Sequence, residues 1–575
     1  MGNNLNIFIA ADNIINSLGF STQENYDAIM NYQSGIKAGN SLDISDSTIL
    51  CARIDEKRLA KAIDIFHIAH KKKVEQLAIL SITEILTKQN IDITSPDCGL
   101  IISTTKGNVD SLRNHTDNIP DNAYLGQTAS YIASFFNIDP KKIKVVSNAC
   151  ISGVSALIIA QRLLRKGIYK NMIVTGVDVL SHFITSGFLS FKSVSEEICK
   201  PYDAARDGLS LGEACGSILL TTDYVPDAVI LRGGAISNDA NHISGPSRTG
   251  DGLHFAIEGA IKDADVNMNE IDFVNLHGTA TVYNDEMESK AIYLSGLESK
   301  PVNSLKSFFG HTLGASGIIE TIISARALKE KVILGIPTYS QSGTEQPLNI
   351  SNKHRNFPEI KTCIKTASGF GGCNAAIVLS LNTSGKQKET NHNTVEYKSC
   401  KIENNTIKIN DEIVFSSDAA DFSIFIREAY KFLEESNQKF YKMDDLSKLG
   451  YIAAAYLLKD TEINAHKTGI ILANSSSSLD TDTKYQKIID EKGDKDASPS
   501  VFVYTLANIV AGEICIRHKI QGENTFFIMH NEDLDFLEDY AKLAVENTDM
   551  EHCIYGWCDF LDNKYKADFR LINKV

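Results

Sequence analysis

Apolar and polar positions along the first two thirds of the chain follow two periods in turn. Short apolar, β-branched runs at 98–104 (CGLIIST), 144–147 (KVVS), 172–176 (MIVTG), 216–222 (GSILLTT) and 271–278 (IDFVNLHG) predict buried strands. Between them, 151–167 (ISGVSALIIAQRLLRKG) and 316–331 (SGIIETIISARALKEK) carry apolar residues at helical spacing. Strands alternating with helices predict an α/β fold, helices packed on a central sheet. The pattern stops after a strand-like run at 375–381 (AAIVLSL). Residues 382–397 (NTSGKQKETNHNTVEY) hold no large apolar side chain before Val395, which predicts a linker. Then the pattern restarts. TGIILANSSSSLDTD (468–482) echoes CGLIISTTKGNVDS (98–111), and TLANIVAGEICI (505–516) echoes TASYIASFFNI (128–138). In both copies a strand and a polar loop precede a small-residue helix that leads into another strand, which in the second copy is 525–529 (TFFIM). The expected organisation is a first unit over 1–382, a linker over 383–400, and a second unit over 401–575.

Composition narrows the function classes. A chain of 575 residues is too long for one core. A net charge of −15 argues against a nucleic-acid partner. The 11 cysteines are scattered, with no CxxC pair and no Cys/His cluster at zinc spacing, as expected of reduced thiols in a cytoplasmic protein without a metal centre. The opening MGNNLNIFIAADN lacks a basic segment followed by an apolar one, so no secretory signal is expected. No apolar run approaches the roughly 20 residues that span a bilayer.

The candidate chemistry starts at KVVSNACISGVSALIIAQRLL (144–164), where Cys150 falls between a strand and a helix. A reactive thiol belongs at such a helix start, where unpaired backbone N–H groups favour a thiolate. A lone cysteine there is more often a small hydrophobe. Its company weakens that reading. NLHGTAT (275–281) places His277 just after a strand, on a Gly-Thr turn. NSLKSFFGHTLGASG (303–317) places Lys306 and His311 in a loop opening a helix, and SGFGGCNAA (368–376) is a glycine turn between two strands. Strand ends are where α/β proteins build sites.

With these residues the first unit resembles a β-ketoacyl-[acyl carrier protein] synthase of the thiolase fold. The motifs are CKPYDAARDGLSLGEACGSILL (199–220), the HGT turn with Asp285 eight residues on, the K-x-x-x-G-H-x-x-G-A-x-G stretch with Glu320, and the FGG hairpin. The resemblance implies a five-layer αβαβα core and a decarboxylating condensation that lengthens an acyl chain by two carbons. Cys150 would carry the acyl chain, since one thiolate can attack a thioester, hold the chain and leave. The resemblance further implies that backbone N–H groups of Cys150 and Phe370 form an oxyanion hole, Phe370 also acting as a gate. His277 and His311 would hydrogen-bond the enolate oxygen. Lys306, Glu320, Asp285, Thr279 and Thr281 would support them. Ile151, where the family has a small residue, would line the acyl pocket. No metal or redox cofactor is implied. The substrates ride on the phosphopantetheine of acyl carrier protein, which is the expected partner, and a homodimer or a heterodimer with a synthase-like chain is expected. Lys71, Lys72 and Lys73, in HKKKVEQLA (70–78), are either a carrier-docking patch or a solvated helix face.

The second unit resembles the N-terminal half of the same family without its cysteine, histidine and FGG motifs, as chain-length factors do. Its His466, His518 and His530 are expected to be structural. The fused unit points to an arylpolyene or flexirubin-like pigment route, the alternative being general fatty-acid elongation. Two other readings stay open. One is a Cys/His acyl hydrolase or a thiolase, although Cys373, the thiol inside the FGG hairpin, is expected to be structural. The other is a non-catalytic scaffold or chain-length factor throughout.

Overall fold

The computed structural model describes residues 5–39, 44–46, 48–114, 118–381, 394–434 and 436–575. In the first unit, β1 (Phe8–Ile15), β2 (Cys98–Ser103), β3 (Ile143–Val146), β4 (Asn171–Asp178) and β5 (Ala214–Thr221) form a sheet in the order β3-β2-β4-β5-β1. A second sheet contains β6 (Ile230–Asn238), β7 (Phe273–Asn275), β8 (Val302–Asn303), β9 (Thr362–Gly369) and β10 (Cys373–Ser380), in the order β8-β7-β9-β10-β6. The two orders are the same permutation, so the first unit is itself a duplicated fold.

The helices that frame the site are α1 (Lys73–Lys88), α2 (Ser152–Arg165), α3 (His182–Ser190), α4 (Asp251–Ala264), α5 (Val282–Leu294) and α6 (Ser316–Glu330). Every residue of α2 from Ser152 to Leu164 is buried. A helix buried on all sides needs cover on all sides, and α2 and α6 lie between the two sheets. Glycines let them cross closely: a Cβ on Gly317 would stand 2.6 Å from the Val154 backbone nitrogen. With α1 outside the first sheet and α4 outside the second, the layers read αβαβα.

The second unit holds one sheet, built from β11 (Thr394–Glu403), β12 (Thr406–Ile409), β13 (Glu412–Ser416), β14 (Thr468–Asn474), β15 (Asn524–Ile528), β16 (His552–Leu561) and β17 (Lys564–Lys574). Its order β15-β14-β16-β17-β11 repeats that of the first sheet, with the β12–β13 hairpin added. Its helices include α7 (Asp445–Leu458), α8 (Leu479–Lys492), α9 (Ile509–His518) and α10 (Leu534–Asn547). The linker expected at 383–400 needs correction. Residues 383–393 lie outside the described residues, but 394–400 belong to β11, which pairs with β17 from Thr394↔Lys574 onward. The alternation TVEYKSCKIE was hidden because its first half is exposed and only Cys400 and Ile402 enter the core.

The units are not separate bodies. β15 pairs antiparallel with β3 (Phe527↔Val146, Ile528↔Val145), so one sheet runs through both. Two buried ion pairs cross the junction: Lys106 Nζ to Asp482 Oδ1 at 2.7 Å, and Arg162 to Glu523 Oε2 at 2.7 Å. Both large hydrophobic clusters draw residues from each unit. The β3 edge is thus taken by the chain's own second unit. No helix among the described residues is long and apolar enough to cross a membrane.

Candidate active site

Cys150 stands where β3 turns into α2. Ala149 takes the left-handed conformation (φ 48°) that the sharp corner requires. Ser152 ties the corner, accepting from the Asn148 backbone N–H at 2.8 Å and donating to the Ala149 carbonyl at 2.6 Å. The Cys150 sulfur lies 3.1 Å from His311 Nε2. The helix-start argument expected a thiolate. Instead, burial pushes this thiol up to about 12, against the pull of the Lys306 ammonium, so the resting group is a neutral thiol.

His277 follows β7 on a turn with Gly278 (φ 47°) and Ala280 (φ 65°). Two carboxylates of α5 hold that turn. Asp285 accepts from the backbone N–H of Ala280 at 3.2 Å and of Tyr202 at 2.7 Å. Glu288 accepts from the backbone N–H groups of His277 and Gly278, both at 2.7 Å, and from the Tyr202 hydroxyl at 2.8 Å. Burial, then the neighbouring Glu288, raises Asp285 to about 7. Thr279 and Thr281 contact each other through their hydroxyls at 2.9 Å, on the turn rather than at the sulfur. Glu288 was missed, although its place three residues after Asp285 puts both on one helix face.

Lys306 is fully buried, with Nζ 2.6 Å from Glu320 Oε1 and 3.4 Å from His277 Nδ1. Glu320 Oε2 lies 2.6 Å from a second buried lysine, Lys365 of β9. Two ammonium groups thus share one carboxylate behind the histidines. Burial lowers the pKa of both His277 and His311 well below the ordinary imidazole range, and Lys306 adds to this, so both rings are neutral. The tautomer of His277 follows from its partner. A lysine ammonium only donates, so His277 Nδ1 accepts and its proton sits on Nε2. Ser316 Oγ receives the Thr312 backbone N–H at 3.1 Å and stands 3.1 Å from both His311 Nδ1 and Thr312 Oγ1, contacts that fit either tautomer of His311. The rings stand nearly perpendicular, centroids 5.0 Å apart. One nitrogen of each lies, with the Cys150 sulfur, inside a 4.8 Å cluster. The arrangement offers a thiol beside two neutral imidazoles, of which His277 carries its proton on Nε2. The same three atoms could ligate a metal, which would then occupy the thiol.

Phe370 sits half-buried on the hairpin between β9 and β10. That hairpin packs on the thiol's backbone: a Cβ on Gly369 would stand 3.0 Å from the Cys150 nitrogen. It is also pinned by the second unit, because Asn508 Nδ2 donates to the Phe370 carbonyl at 2.8 Å. Phe370 stacks on Phe188 of α3 (6.3 Å), and Phe188 meets Phe502 of the second unit (5.7 Å). Asn508 and Phe502 carried no local signal of this; only the tertiary pairing brings them here. Ile151 is fully buried in the large cluster that also holds Val503, Leu506 and Ile509. Cys373 is buried beside the Phe370 carbonyl (3.2 Å), and burial raises its thiol well above the ordinary range.

The lysine cluster divides. Lys72 is exposed, and Lys71 lies over the Tyr131 ring at 5.0 Å. Lys73 is not part of a solvated patch: its Nζ pairs with Glu56 at 2.6 Å and with the buried Glu213 at 2.8 Å. Lys73→Glu should destabilise the fold by roughly 3–5 kcal/mol, the cost of leaving a buried carboxylate without its cation. Chemical denaturation of this variant beside Lys72→Glu checks it, and equal stabilities would contradict it. Of the second unit's histidines, His530 meets Ser130 of the first unit, and burial lowers His518 to about 3.

Residues 60–225 match the β-ketoacyl synthase N-terminal domain and residues 228–339 the C-terminal domain. A 3-oxoacyl-[acyl-carrier-protein] synthase 2 from Rhizobium meliloti is 31% identical over 255 residues, covering 41% of this chain and 60%, less than two thirds, of the relative. One from Coxiella burnetii is 24% identical over 409 residues, 65% of this chain and 98% of the relative. Among solved structures, a keto synthase–chain length factor protein superposes with a TM-score of 0.76 at 15% identity, over 99% of this chain and 78% of its own, a likeness of fold. A ketosynthase solved in complex with its chain length factor, from Xenorhabdus doucetiae, gives 0.58 at 25% identity, over 66% of this chain and 99% of its own.

Proposed function

From a chain whose residues 60–225 and 228–339 match the two domains of the β-ketoacyl synthase family, we infer a condensing enzyme that joins an acyl group held on Cys150 to malonyl-carrier. The observation that carries this reading is the meeting of one thiol with two neutral, N–H-bearing imidazoles. In the first step the Cys150 sulfur attacks the acyl thioester. The new S–acyl bond replaces the carrier's, and the thiol proton leaves with the carrier thiol. Backbone N–H groups of Cys150 and Phe370 are assigned to the oxyanion of that step. In the second step malonyl-carrier loses CO₂, and its electron pair forms an enolate. The Nε2–H groups of His277 and His311 donate to the enolate oxygen. Its carbon attacks the acyl carbonyl, the Cys150–acyl bond breaks, and the sulfur takes up one proton. Lys306, held by Glu320, keeps His277 in the donating tautomer. Incubation with acyl-carrier and malonyl-carrier should release CO₂ and yield a chain two carbons longer. Free acid from acyl-carrier alone would instead support a Cys/His hydrolase.

Carrier docking is assigned to Lys72 and Lys71. Lys72→Glu should raise KM for carrier-bound substrates, and less so in added salt, since exposed charges are screened beyond roughly 8 Å at physiological ionic strength. An unchanged KM would leave Lys72 as an ordinary surface residue.

The second unit is assigned the role of a fused chain-length factor, and this favours a specialised pigment-type route over general fatty-acid elongation. Phe502 supports the reading, because its ring closes the aromatic group Phe183, Phe188 and Phe191 beside Phe370. Phe502→Ala should lengthen the product distribution while malonyl-carrier decarboxylation holds, read by mass spectrometry of the products. Unchanged lengths would reduce the unit to a prop. Truncation near Asn382 would not separate these roles, since it strips the partners from buried Lys106 and Arg162.

A further inference from the structure

One other group of side chains among the described residues brings metal-ligating atoms within 4.8 Å of one another: Asp46, His182 and Asp494. It lies on the junction of the two units, away from the sulfur. Asp46 comes from a loop of the first unit, His182 opens α3, and Asp494 follows α8 in the second unit. The two carboxylates are held by a crossed pair of backbone bonds. Asp494 Oδ2 accepts from the Asp46 N–H at 2.8 Å and from the Ser45 hydroxyl at 3.1 Å, while Asp46 Oδ2 accepts from the Asp494 N–H at 3.1 Å. Those bonds occupy the Oδ2 atoms. Both Oδ1 atoms face the same ring nitrogen, His182 Nε2, at 3.0 Å from Asp494 and 3.4 Å from Asp46. Gly493 (φ 71°) makes the approach possible, since a Cβ there would stand 2.8 Å from Asp46 Oδ2.

His182 is only 5% exposed; its Nε2 forms an ion pair with Asp494 Oδ1, while its Nδ1 has no partner among the described residues. Two carboxylates thus converge on one imidazole, which can balance at most one negative charge. A divalent cation in place of the Nε2 proton would balance both. Ligands about 2.0–2.2 Å from a tetrahedral ion stand roughly 3.3–3.6 Å apart, close to the separations of Nε2 from the two oxygens. One imidazole and two carboxylates suit zinc or a related divalent ion better than magnesium, which prefers an all-oxygen shell. The half-exposed side of Asp46 leaves room for water as a further ligand.

We propose that Asp46, His182 and Asp494 bind a divalent transition-metal ion, for which zinc is the probe, and that the ion staples the two units at the start of α3. The same helix carries Phe183 and Phe188 against Phe502, so the staple anchors the wall beside the active site.

The test uses the full chain with Cys150→Ala, which removes the thiol of the other Cys/His/His group. After chelation and desalting, titration with Zn²⁺ should show one equivalent retained and a higher thermal midpoint. His182→Gln and Asp494→Asn should each weaken binding at least tenfold. Co²⁺ in place of Zn²⁺ should give visible ligand-field bands with no thiolate charge-transfer band. Thermal melts without metal establish that each variant folds; if either of those variants does not, Asp46→Asn, at the half-exposed ligand, takes its place with the same expectation. Absence of stoichiometric uptake overturns the proposal. So does uptake that survives unchanged in a folded variant of any of the three residues, or cobalt spectra marked by a thiolate.

Discussion

Cys150→Ser should abolish condensation while the protein still decarboxylates malonyl-carrier. The two halves of the reaction draw on different groups. Acyl transfer needs a soft nucleophile that reacts in a pocket where burial holds even a thiol at about 12. A hydroxyl ionises far less readily, so it needs a base. His277 cannot serve, because its Nε2 carries the proton in the tautomer that Lys306 imposes, and the C–O bond of serine is shorter than the C–S bond, which draws the hydroxyl back from His311 Nε2. Decarboxylation needs only the donors to the enolate oxygen, which the substitution leaves in place. Parallel assays of CO₂ release and of chain extension separate the two. A serine variant that still extends chains would mean that His311 acts as a base toward the hydroxyl.

His277→Ala should slow decarboxylation of malonyl-carrier by about 10²–10³-fold, the roughly 2.7–4 kcal/mol that one oxyanion donor supplies in a buried site. Acylation of Cys150 should change less, since the nitrogen within reach of the sulfur at 3.1 Å belongs to His311. His311→Ala should therefore damage both half-reactions. The direction of the pKa shifts adds a signature. Both rings have folded-state values far below the unfolded one near 6.5. The decarboxylation rate should thus show no imidazole titration around pH 6.5. The destabilisation that the two rings contribute should be absent above that pH and grow below it, where the unfolded chain binds protons that the buried rings refuse, while Asp285, raised to about 7, contributes with the opposite sign. Wild-type decarboxylation in His277→Ala, or a rate that titrates near 6.5, would remove His277 from the enolate.

The sequence and the structure agree on the polar side chains at strand ends that meet in the candidate site. Cys150, His277 and His311 were legible because each follows an apolar run and precedes a turn or helix, and the repeat in the second unit was legible because its strand and loop spacing matches 98–138. What stayed hidden depends on partners distant in the chain. Lys365 lies in the middle of β9, where alternation gives no hint that Glu320 waits across the layer. Lys73 reads as one of three surface cations until the fold sets it on Glu213. Strand β11 escaped notice because half of it is exposed and its pairing partner is the last strand of the chain. Asn508, Phe502 and Asp494 acquire meaning only when β15 docks on β3.

The central claim is that Cys150 carries the growing chain. The direct measurement is mass spectrometry of the protein after incubation with acyl-carrier alone, followed by peptide mapping. The account predicts a single acyl adduct on the peptide containing Cys150, absent in Cys150→Ser. An adduct on Cys215, Cys373 or another thiol, with Cys150 unmodified, would contradict it.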